Sequence, residues 1–362
     1  MSFNFIFLLL PVQIIFLVNA IGHLGYALKL NYKYSSEHNL GNSIITVGLW
    51  TTAAILYPFY FPINSPQVYF FGFLSVFFIC IFTPFMIFLI LLYQYFVVVK
   101  NDHEIRQKRN ITLFLEQFEI YNSQKKELCS HSLKNDIYRK TLHIFPAGII
   151  LLLWLFSVYI WDGMWNANEI WGLTGEQFGT FLIITAGYSG ILVFAALDYV
   201  RLSYIFERRD FFHFLPNNVL NLLSKSIKRN EIFEFTKSAA MVLAFTPIFF
   251  FPFGIFIAAA LIATLGDGVA SFCGLKFGRR NFPKHSDKTL IGYIMGALGS
   301  FLIAIFSVLF FLPHINPLKM YFIATGGSIT FLVIDLANLN IDDNILNPLA
   351  CGIIMACIYY FV

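Results

Sequence analysis

Long apolar runs separated by polar segments make up most of this chain, and they predict a bundle of membrane-spanning helices. A helix needs about 20 consecutive apolar residues to cross a bilayer, and several runs approach or exceed that length. Hydropathy predicts about ten spans, at 4–21, 43–61, 68–99, 143–161, 177–197, 238–254, 256–275, 289–312, 320–337 and 346–362. The pair 238–254 and 256–275 is the least regular, because Pro247 and Pro252 interrupt the first member and the second ends in a glycine-rich segment. The expected fold class is an all-α polytopic transmembrane bundle.

Composition narrows the class further. Hydrophobic residues make up 58% of the 362 residues and charged residues 12%, whereas a soluble domain has roughly 25% charged residues. The first apolar run lacks a positive leading segment and a small-residue cleavage site, so we expect a retained span instead of a removed signal peptide. The five cysteines are scattered without a CxxC pair, which indicates neither a zinc site nor a disulfide framework.

Basic residues are concentrated in three polar segments, and their distribution predicts an orientation. Segments 100–140, 201–237 and 276–288 hold 21 of the 24 Lys and Arg residues. With ten spans, all three segments fall on one face of the membrane, which the positive-inside rule makes cytoplasmic. Both termini then lie on the opposite side. The charges leave open which membrane holds the protein, whether the endoplasmic reticulum or a bacterial or archaeal plasma membrane.

Two of the polar segments contain amphipathic patterns. Residues 111–120 and 217–229 each place apolar side chains on one helical face beside basic residues. This pattern predicts interfacial helices that lie on an anionic leaflet. Helices packed on the cytoplasmic ends of the bundle are the alternative, and the pattern does not decide between the two.

The segment GDGVASFCGLKFGRRNFPKHSDKTLIG, at 266–292, carries the strongest functional signal. It follows an apolar run directly and combines Asp267 with small residues and five Lys or Arg residues. A nucleotide triphosphate with its metal needs this mixture. A carboxylate holds the cation, glycines let backbone N–H groups approach phosphate, and cations neutralise the remaining charge. The predicted nucleotide-binding residues are Gly266, Ser271, Gly274, Gly278, Arg279, Arg280, Thr289 and Gly292.

Within the same segment, Asp267 and Lys288 are the predicted catalytic residues. Two structural alternatives stay open. Asp267 could cap a helix, since Asp is a favoured capping residue. Gly274 and Gly278 could form the small-residue spacing with which membrane helices pack closely.

A second acidic group lies between the last two predicted spans. Asp342, Asp343 and Asn344 are consecutive and, by the span count, share a face with Asp267. Magnesium prefers oxygen ligands and usually takes one or two protein carboxylates with waters and phosphates. These four residues are the predicted metal ligands, and Asp343 is also a predicted catalytic residue. A polar turn rich in Asp and Asn for backbone reasons is the alternative.

Two further polar groups stand at the ends of predicted spans. His143 follows Arg139 and Lys140 at the start of the fourth span, where it could contact an anion or relay a proton, so it is a fourth predicted catalytic residue. Asp198 and Arg201 end the fifth span at helical spacing. A structural ion pair explains them as well as a catalytic role does.

Together these segments resemble the membrane lipid kinases that include dolichol kinase, phytol kinase and the CTP-dependent diacylglycerol kinase. Those kinases share an R-K-x-x-H motif, an acidic-x-x-Arg span end, a G-D-x-x-A-S-x-x-G-x-x-x-G-R block, a K-[ST]-x-x-G motif and a D-N-x-x-x-P turn. The matching residues here are Arg139, Lys140 and His143, Asp198 and Arg201, Gly266 to Arg279, Lys288, Thr289 and Gly292, and Asp342 to Pro348. Two positions depart from the pattern: Ile291 and Asp335 stand where Glu is common.

The resemblance covers roughly residues 135–362 and implies a catalytic membrane domain there, preceded by a three-span region at 1–134 without a functional assignment. It implies phosphoryl transfer from CTP to a long-chain prenol or another lipid alcohol, with Mg²⁺ as cofactor, at the cytoplasmic face. The expected partners are the nucleotide, the lipid substrate and the membrane, and no nucleic acid. The oligomeric state stays open.

Two other functions compete with a lipid kinase. A cytidylyltransferase that makes a CDP-lipid would use the same nucleotide, metal and lipid, and would differ in which phosphate is attacked. A transporter would place buried charges near the midplane in interrupted helices of both halves, whereas the ionisable residues here crowd one face.

Overall fold

The chain folds almost entirely into helices, as the hydropathy pattern predicts. A computed structural model describes residues 3–61, 66–101, 103–126, 129–206, 210–227, 231–283, 288–337 and 339–362. Across these ranges the chain forms no β-strand, and one isolated bridge pairs Asn281 with Thr289. The all-α fold class is therefore confirmed.

Sixteen α-helices are present in the described ranges. The first eight are α1 (Phe3–Lys33), α2 (Leu40–Leu56), α3 (Pro66–Phe77), α4 (Thr83–Tyr93), α5 (His103–Lys108), α6 (Ile111–Lys126), α7 (Cys129–Leu155) and α8 (Ala167–Trp171). The others are α9 (Gly175–Arg201), α10 (Asn217–Ser226), α11 (Lys237–Ile248), α12 (Phe253–Leu261), α13 (Asp267–Phe277), α14 (Leu290–Phe311), α15 (Pro317–Ala337) and α16 (Asp343–Phe361).

Nine helical segments of the described chain are long and apolar enough to cross a membrane, one fewer than the ten predicted. They are Phe7–Lys33, Leu40–Tyr60, Pro66–Val99, His143–Asp162, Gly175–Ile205, Phe253–Phe277, Leu290–Phe311, Pro317–Ala337 and Asp343–Phe361. The sixth predicted span, 238–254, is instead the 12-residue helix α11. At 1.5 Å per residue it is about 18 Å long, shorter than a hydrocarbon core of about 30 Å. Pro252, which lacks an N–H, precedes α12 and separates the two helices.

Several spans are continuous through short π-helical segments. Phe78–Phe82 joins α3 to α4, and Gln94–Val99 extends α4, so that residues 66–99 form one long helical span. Ile262–Gly266 joins α12 to α13 in the same way. Such insertions are often found at functional sites in helices.

The chain packs as two compact units. Unit 1 comprises Met1–Gln124 and Ile150–Ala239, and unit 2 comprises Lys125–Ile149 and Ala240–Val362. The packing boundaries differ from the predicted functional boundary at residue 134, because residues 150–239 belong with the N-terminal helices. That functional boundary stays a prediction, since compactness describes packing and not activity.

Unit 1 is held together by aromatic residues from helices distant in sequence. Phe16 of α1 contacts the rings of Trp50 on α2 and Tyr188 on α9, with centroid separations of 4.9 Å and 4.5 Å. The Tyr188 hydroxyl donates a hydrogen bond of 2.7 Å to the Ala53 carbonyl oxygen. Buried aromatic rings of this size supply much of a core's apolar area, and the hydroxyl is satisfied within the protein.

The two amphipathic segments form helices whose apolar faces pack against protein. Phe114 of α6 and Leu223 of α10 belong to one buried cluster with Phe212 and Leu215. Phe118 of α6 is buried in a second cluster of unit 1. Their apolar faces therefore contribute to the core of unit 1, which is the alternative that the sequence left open.

Unit 2 is a bundle of antiparallel helices with two distinguishable ends. Thr289, before α14, lies beside Gly274 of α13, whereas Phe253, at the start of α12, contacts the ring of Phe311 at the end of α14. We call the end that carries Thr289 the polar end. Because Phe245 and Phe249 of the α11 region both contact Phe256, α11 and α12 form a hairpin that turns at the opposite end. The chain therefore enters and leaves this hairpin on the side of the polar end.

Candidate active site

Asp267 lies inside a long helix, directly after the π-helical segment of unit 2. Residues 253–277 are helical without interruption, so Asp267 is not a cap of a separate helix. Its carboxylate forms an ion pair with Lys140 of α7, and both side chains are mostly buried, at 28% and 15% exposure. The pair joins two residues 127 positions apart in sequence. An acidic side chain inside an apolar membrane helix is costly unless it is paired, and it marks a functional site by default.

Lys288 and Asp335 form a second ion pair of the same kind. Lys288 Nζ lies 2.5 Å from Asp335 Oδ1, near the end of α15. Burial lowers the pKa of Lys288, but the hydrogen bond and negative charge of Asp335, assisted by Asp343, outweigh it and raise that pKa above its ordinary value. Lys288 is therefore held firmly in its charged form.

The acidic turn before α16 divides into a buried cap and an exposed carboxylate. Asp342 is buried, and its Oδ1 accepts hydrogen bonds from the backbone N and the Nδ2 of Asn344, at 2.9 Å and 2.8 Å. It is the N-cap of α16, which is the backbone role that the sequence left open. Asp343 begins the helix and is exposed. Of the two adjacent carboxylates, Asp343 is the better placed to meet a ligand.

These acidic and basic groups converge at the polar end of unit 2. Asp335 lies within electrostatic range of both Asp267 and Asp343, and Lys288 lies within range of Asp343. Four helices, α7, α13, α15 and α16, and the segment before α14 thus contribute charged side chains to one cluster. We call Lys140, Asp267, Lys288, Asp335 and Asp343 the charged cluster. Asp335 thus stands within electrostatic range of both carboxylates that the predicted nucleotide site brings together.

The predicted glycines bring α13 and α14 into close contact. A Cβ atom on Gly292 would lie 3.0 Å from the Ala270 carbonyl oxygen, and one on Gly274 would lie 3.0 Å from Thr289 Oγ1. The Gly278 N–H donates a hydrogen bond of 3.0 Å to the Gly274 carbonyl oxygen. The close helix packing that small residues permit in membranes accounts for these positions. Their assignment to nucleotide binding stays a prediction.

The basic segment between α13 and α14 folds back on itself. The Leu290 N–H donates to the Arg280 carbonyl oxygen at 3.1 Å, and the Phe282 N–H donates to the Lys288 carbonyl oxygen at 2.9 Å. Arg279 and Arg280 are exposed at its base, while residues 284–287 lie outside the described ranges. Thr289 caps α14 by accepting a hydrogen bond of 3.2 Å from the Gly292 N–H. The segment therefore leaves both arginines exposed, while its backbone is bonded to Lys288 and Leu290.

The remaining predicted site residues lie close to the cluster along their helices. His143 is partly buried on α7, three residues after Lys140, and Ser271 is partly exposed on α13, four residues after Asp267. Side chains at these spacings are neighbours on a helix surface. Gly266 packs against α14, where a Cβ atom would lie 2.7 Å from Ser300 Oγ. The Arg139 side chain lies outside the described part of the chain.

Asp198 and Arg201 lie in unit 1, where both bond to a neighbouring segment of the chain. Both are almost completely buried, at 1% and 3% exposure. Asp198 accepts hydrogen bonds from the Thr236 backbone N (2.8 Å) and Oγ1 (2.7 Å), and Arg201 donates to the carbonyl oxygens of Ile232 and Glu234. The pair fastens residues 231–236 to the end of α9.

The charged cluster offers oxygen ligands of the kind that Mg²⁺ takes. No group of three His, Cys, Asp or Glu side chains within the described ranges is close enough to enclose a metal. Magnesium, however, is commonly held by one or two carboxylates with substrate phosphates completing its coordination. Asp267 and Asp343 fit that arrangement, whereas the Asp342 oxygen that caps α16 is already engaged.

Sequence reasoning did not include Asp335 or Lys140 among the site residues. Asp335 was apparent as an acidic residue in the last turn of an apolar span, and Lys140 as a cation preceding another span. Those signals mark a functional residue in a membrane helix, but only the structure shows which opposite charge each one meets.

Comparisons with protein-family models, with curated proteins and with solved structures give no match to this chain.

Proposed function

We propose that this chain is a membrane-bound lipid-alcohol kinase that transfers the γ-phosphoryl group of CTP to a long-chain prenol or a related lipid alcohol. The observation that carries the proposal is the charged cluster at the polar end of unit 2, where two lysines and three aspartates from distant segments lie together. The choice of CTP and of a prenol acceptor rests on the motif resemblance.

The cluster has the chemistry that phosphoryl transfer requires. This reaction depends on positioning and on neutralising phosphate charge more than on a protein nucleophile. Asp267 and Asp343 would hold Mg²⁺, which supplies charge neutralisation at the phosphate oxygens. Lys140, now paired with Asp267, is a cation that can turn to phosphate when the metal satisfies that carboxylate, and Lys288, held by Asp335, adds a second positive charge. Arg279 and Arg280 extend the positive surface.

The position of the cluster suits a lipid acceptor. The hydroxyl group of a long-chain alcohol stays at the membrane surface while its chain stays in the bilayer. Asp335 and Asp343 stand at the end of one span and the start of the next, so the cluster is near the depth at which such a hydroxyl would arrive. His143 and Ser271 would orient the hydroxyl or a phosphate. The basic residues of segment 276–288 support a cytoplasmic position for this end, by the positive-inside rule.

The reaction is tested directly by following the γ-phosphorus of CTP. Membranes that contain the protein, and matched membranes without it, are incubated with γ-labelled CTP, Mg²⁺ and a panel of dolichol, phytol and diacylglycerol. We expect label in the organic phase as a lipid phosphate, with CDP as the second product. Label released as pyrophosphate, together with a CDP-lipid, would identify a cytidylyltransferase instead. No label transfer to any lipid would reject the kinase.

A further inference from the structure

A buried arginine of unit 1 has neutral hydrogen-bond acceptors and, among the described residues, no carboxylate partner. Arg109 is 8% exposed. Its Nε donates to Asn217 Oδ1 at 2.8 Å, and its Nη1 donates to Gln94 Oε1 at 3.2 Å. Within the described ranges no carboxylate forms an ion pair with it. A buried charge without a partner of opposite sign is unfavourable, and the two amides fix this guanidinium in place without neutralising it.

Two further basic side chains stand near Arg109. Arg106 is exposed three residues earlier. His213 is partly buried within electrostatic range of both arginines, and burial, followed by the charge of Arg106, lowers the pKa of His213. Asp210 is the acidic group in range of His213, but it is exposed and its Oδ1 already accepts a hydrogen bond of 2.9 Å from the Phe212 N–H. Among the described groups in range of His213, two arginines therefore face one carboxylate.

The N-terminus of α10 adds to this positive region. Asn217, which holds the Arg109 guanidinium, is the first residue of that ten-residue helix, and no side chain caps the helix start. The first hydrogen bond to the preceding turn comes from the Leu220 N–H to the Pro216 carbonyl oxygen, at 3.0 Å. The earlier N–H groups therefore have no partner inside the helix, and Asn217 and Asn218 are exposed. Uncapped helix N-termini bind phosphate and other anions.

The surroundings of this site are those of a membrane surface. Gln94 lies in the last turns of the long span Pro66–Val99. Tyr95, Phe96 and Phe211 are exposed to 45%, 51% and 44%. Aromatic side chains of this kind concentrate at the level of lipid headgroups. Such surroundings suit an anion that carries acyl chains more than a soluble one.

We propose that Arg109, Arg106, His213 and the N-terminus of α10 bind the phosphate of an anionic phospholipid headgroup. Arg109 gives the site its geometry, because its two amide partners hold the guanidinium in one orientation. Arg106 and the helix N-terminus add charge and N–H donors. This inference is independent of the proposed kinase reaction, because it involves residues of unit 1 and makes no use of the charged cluster.

The test measures lipid binding by the full chain purified in a neutral detergent. Dioctanoyl phosphatidic acid is titrated against thermal stability, since a ligand that binds only the folded state raises the unfolding temperature logarithmically once its concentration exceeds the dissociation constant. We expect such a rise with phosphatidic acid and little rise with dioctanoyl phosphatidylcholine over the same concentrations. Arg109→Gln should weaken the apparent affinity for phosphatidic acid at least tenfold, and Arg106→Gln at least threefold.

Lys108→Gln is the matched control, because it removes one positive charge from the same segment. Lys108 is 72% exposed and pairs with Glu104. We therefore expect the Lys108→Gln variant to bind phosphatidic acid with the same affinity as the unaltered chain. If Arg109→Gln does not fold, the exposed Arg106→Gln decides the matter. Unchanged affinity in the variants that fold, or an equal affinity for phosphatidylcholine, would overturn the proposal. An equal rise with inorganic phosphate at the same concentration would show a soluble anion as the ligand and would also overturn it.

Discussion

The buried Asp198–Arg201 pair gives the most quantitative prediction for the fold. Both side chains are covered, and Asp198 Oδ1 accepts hydrogen bonds from Arg201 Nη2 at 3.0 Å and from Thr236 Oγ1 at 2.7 Å. Asp198→Ala leaves a buried guanidinium without its counter-charge, and Arg201→Ala leaves a buried carboxylate. Removing one partner of such a pair costs about 3–5 kcal/mol. We therefore expect either variant to lower the free energy of unfolding by about that amount.

The double variant separates the pair from its surroundings. Because the second substitution removes a charge that is already unpaired, Asp198→Ala with Arg201→Ala should cost less than the sum of the two single losses, by at least about 1 kcal/mol. Unfolding in detergent, followed by intrinsic tryptophan fluorescence, measures all three variants. Glu104→Ala is the control: its ion pair with Lys108 is 2.7 Å long but exposed, so we expect a loss of about 0.5 kcal/mol or less.

The same experiment decides the role of the pair. If Asp198 is structural, variant protein that is still folded at low temperature should have the same activity per folded molecule as the unaltered chain. A loss of stability no larger than that of Glu104→Ala would refute the reasoning, because it would show that the buried network contributes nothing measurable. Full stability with lost activity would instead indicate a catalytic role.

Three further predictions concern packing, protonation and the charged cluster. Gly296→Ala should lower the free energy of unfolding by about 1–3 kcal/mol, because the new Cβ would lie 2.7 Å from a neighbouring Cβ. Gly148 has open space around it, so Gly148→Ala should stabilise the fold or leave its stability unchanged in the same thermal unfolding assay. Burial, partly offset by a backbone hydrogen bond, lowers the pKa of His38 below 6.5. As the pH falls, His38 is therefore protonated in the unfolded chain before it is protonated in the folded chain, so the free energy of unfolding should fall below about pH 6.5. His38→Gln should reduce that pH dependence in unfolding curves measured at pH 7.5 and 5.5. Asp335→Asn removes the charge that raises the pKa of Lys288, so a larger fraction of Lys288 should be the neutral, reactive amine at pH 8. Acylation of Lys288, followed by peptide mass spectrometry, should then become faster. An unchanged rate would contradict the pairing.

Hydropathy predicted the location of nearly every span, because the length of an apolar run is set by the bilayer and is visible in the sequence. The ends were less well predicted. The first span was expected to end at residue 21, but α1 continues to Lys33, since polar residues continue a helix once the preceding turns supply hydrogen bonds. The sixth span proved to be the short helix α11, because proline spacing and packing, not hydropathy, set where that hairpin turns.

The candidate site shows a different limit. The sequence identified Asp267, Lys288 and Asp343 because charged residues are conspicuous beside apolar runs. It could not identify their partners: Lys140 is 127 residues from Asp267, and Asp335 is 47 residues from Lys288. Pairing at that distance depends on which helices are neighbours, which composition does not encode.

The glycines of segment 266–292 show a related limit. Their spacing suited either phosphate binding or close helix packing, and only the distance between α13 and α14 shows that packing uses them. Likewise, the faces of α6 and α10 suited either a bilayer or a protein core, and the buried cluster shared by Phe114 and Leu223 shows the second. A local pattern defines an apolar face but not the surface that covers it.

The central claim, that Asp267 and Asp343 act together in one nucleotide site, is tested most directly by a double-variant comparison of phosphoryl transfer. The rate of γ-phosphoryl transfer from CTP to the best lipid alcohol is measured for Asp267→Asn, Asp343→Asn and the double variant, in membranes with equal amounts of folded protein. We expect each single variant to lose more than tenfold, about 1.4 kcal/mol of barrier, and the double variant to lose much less than the product of the two. Single-variant rates within tenfold of the unaltered chain, or losses that simply multiply, would contradict a shared site.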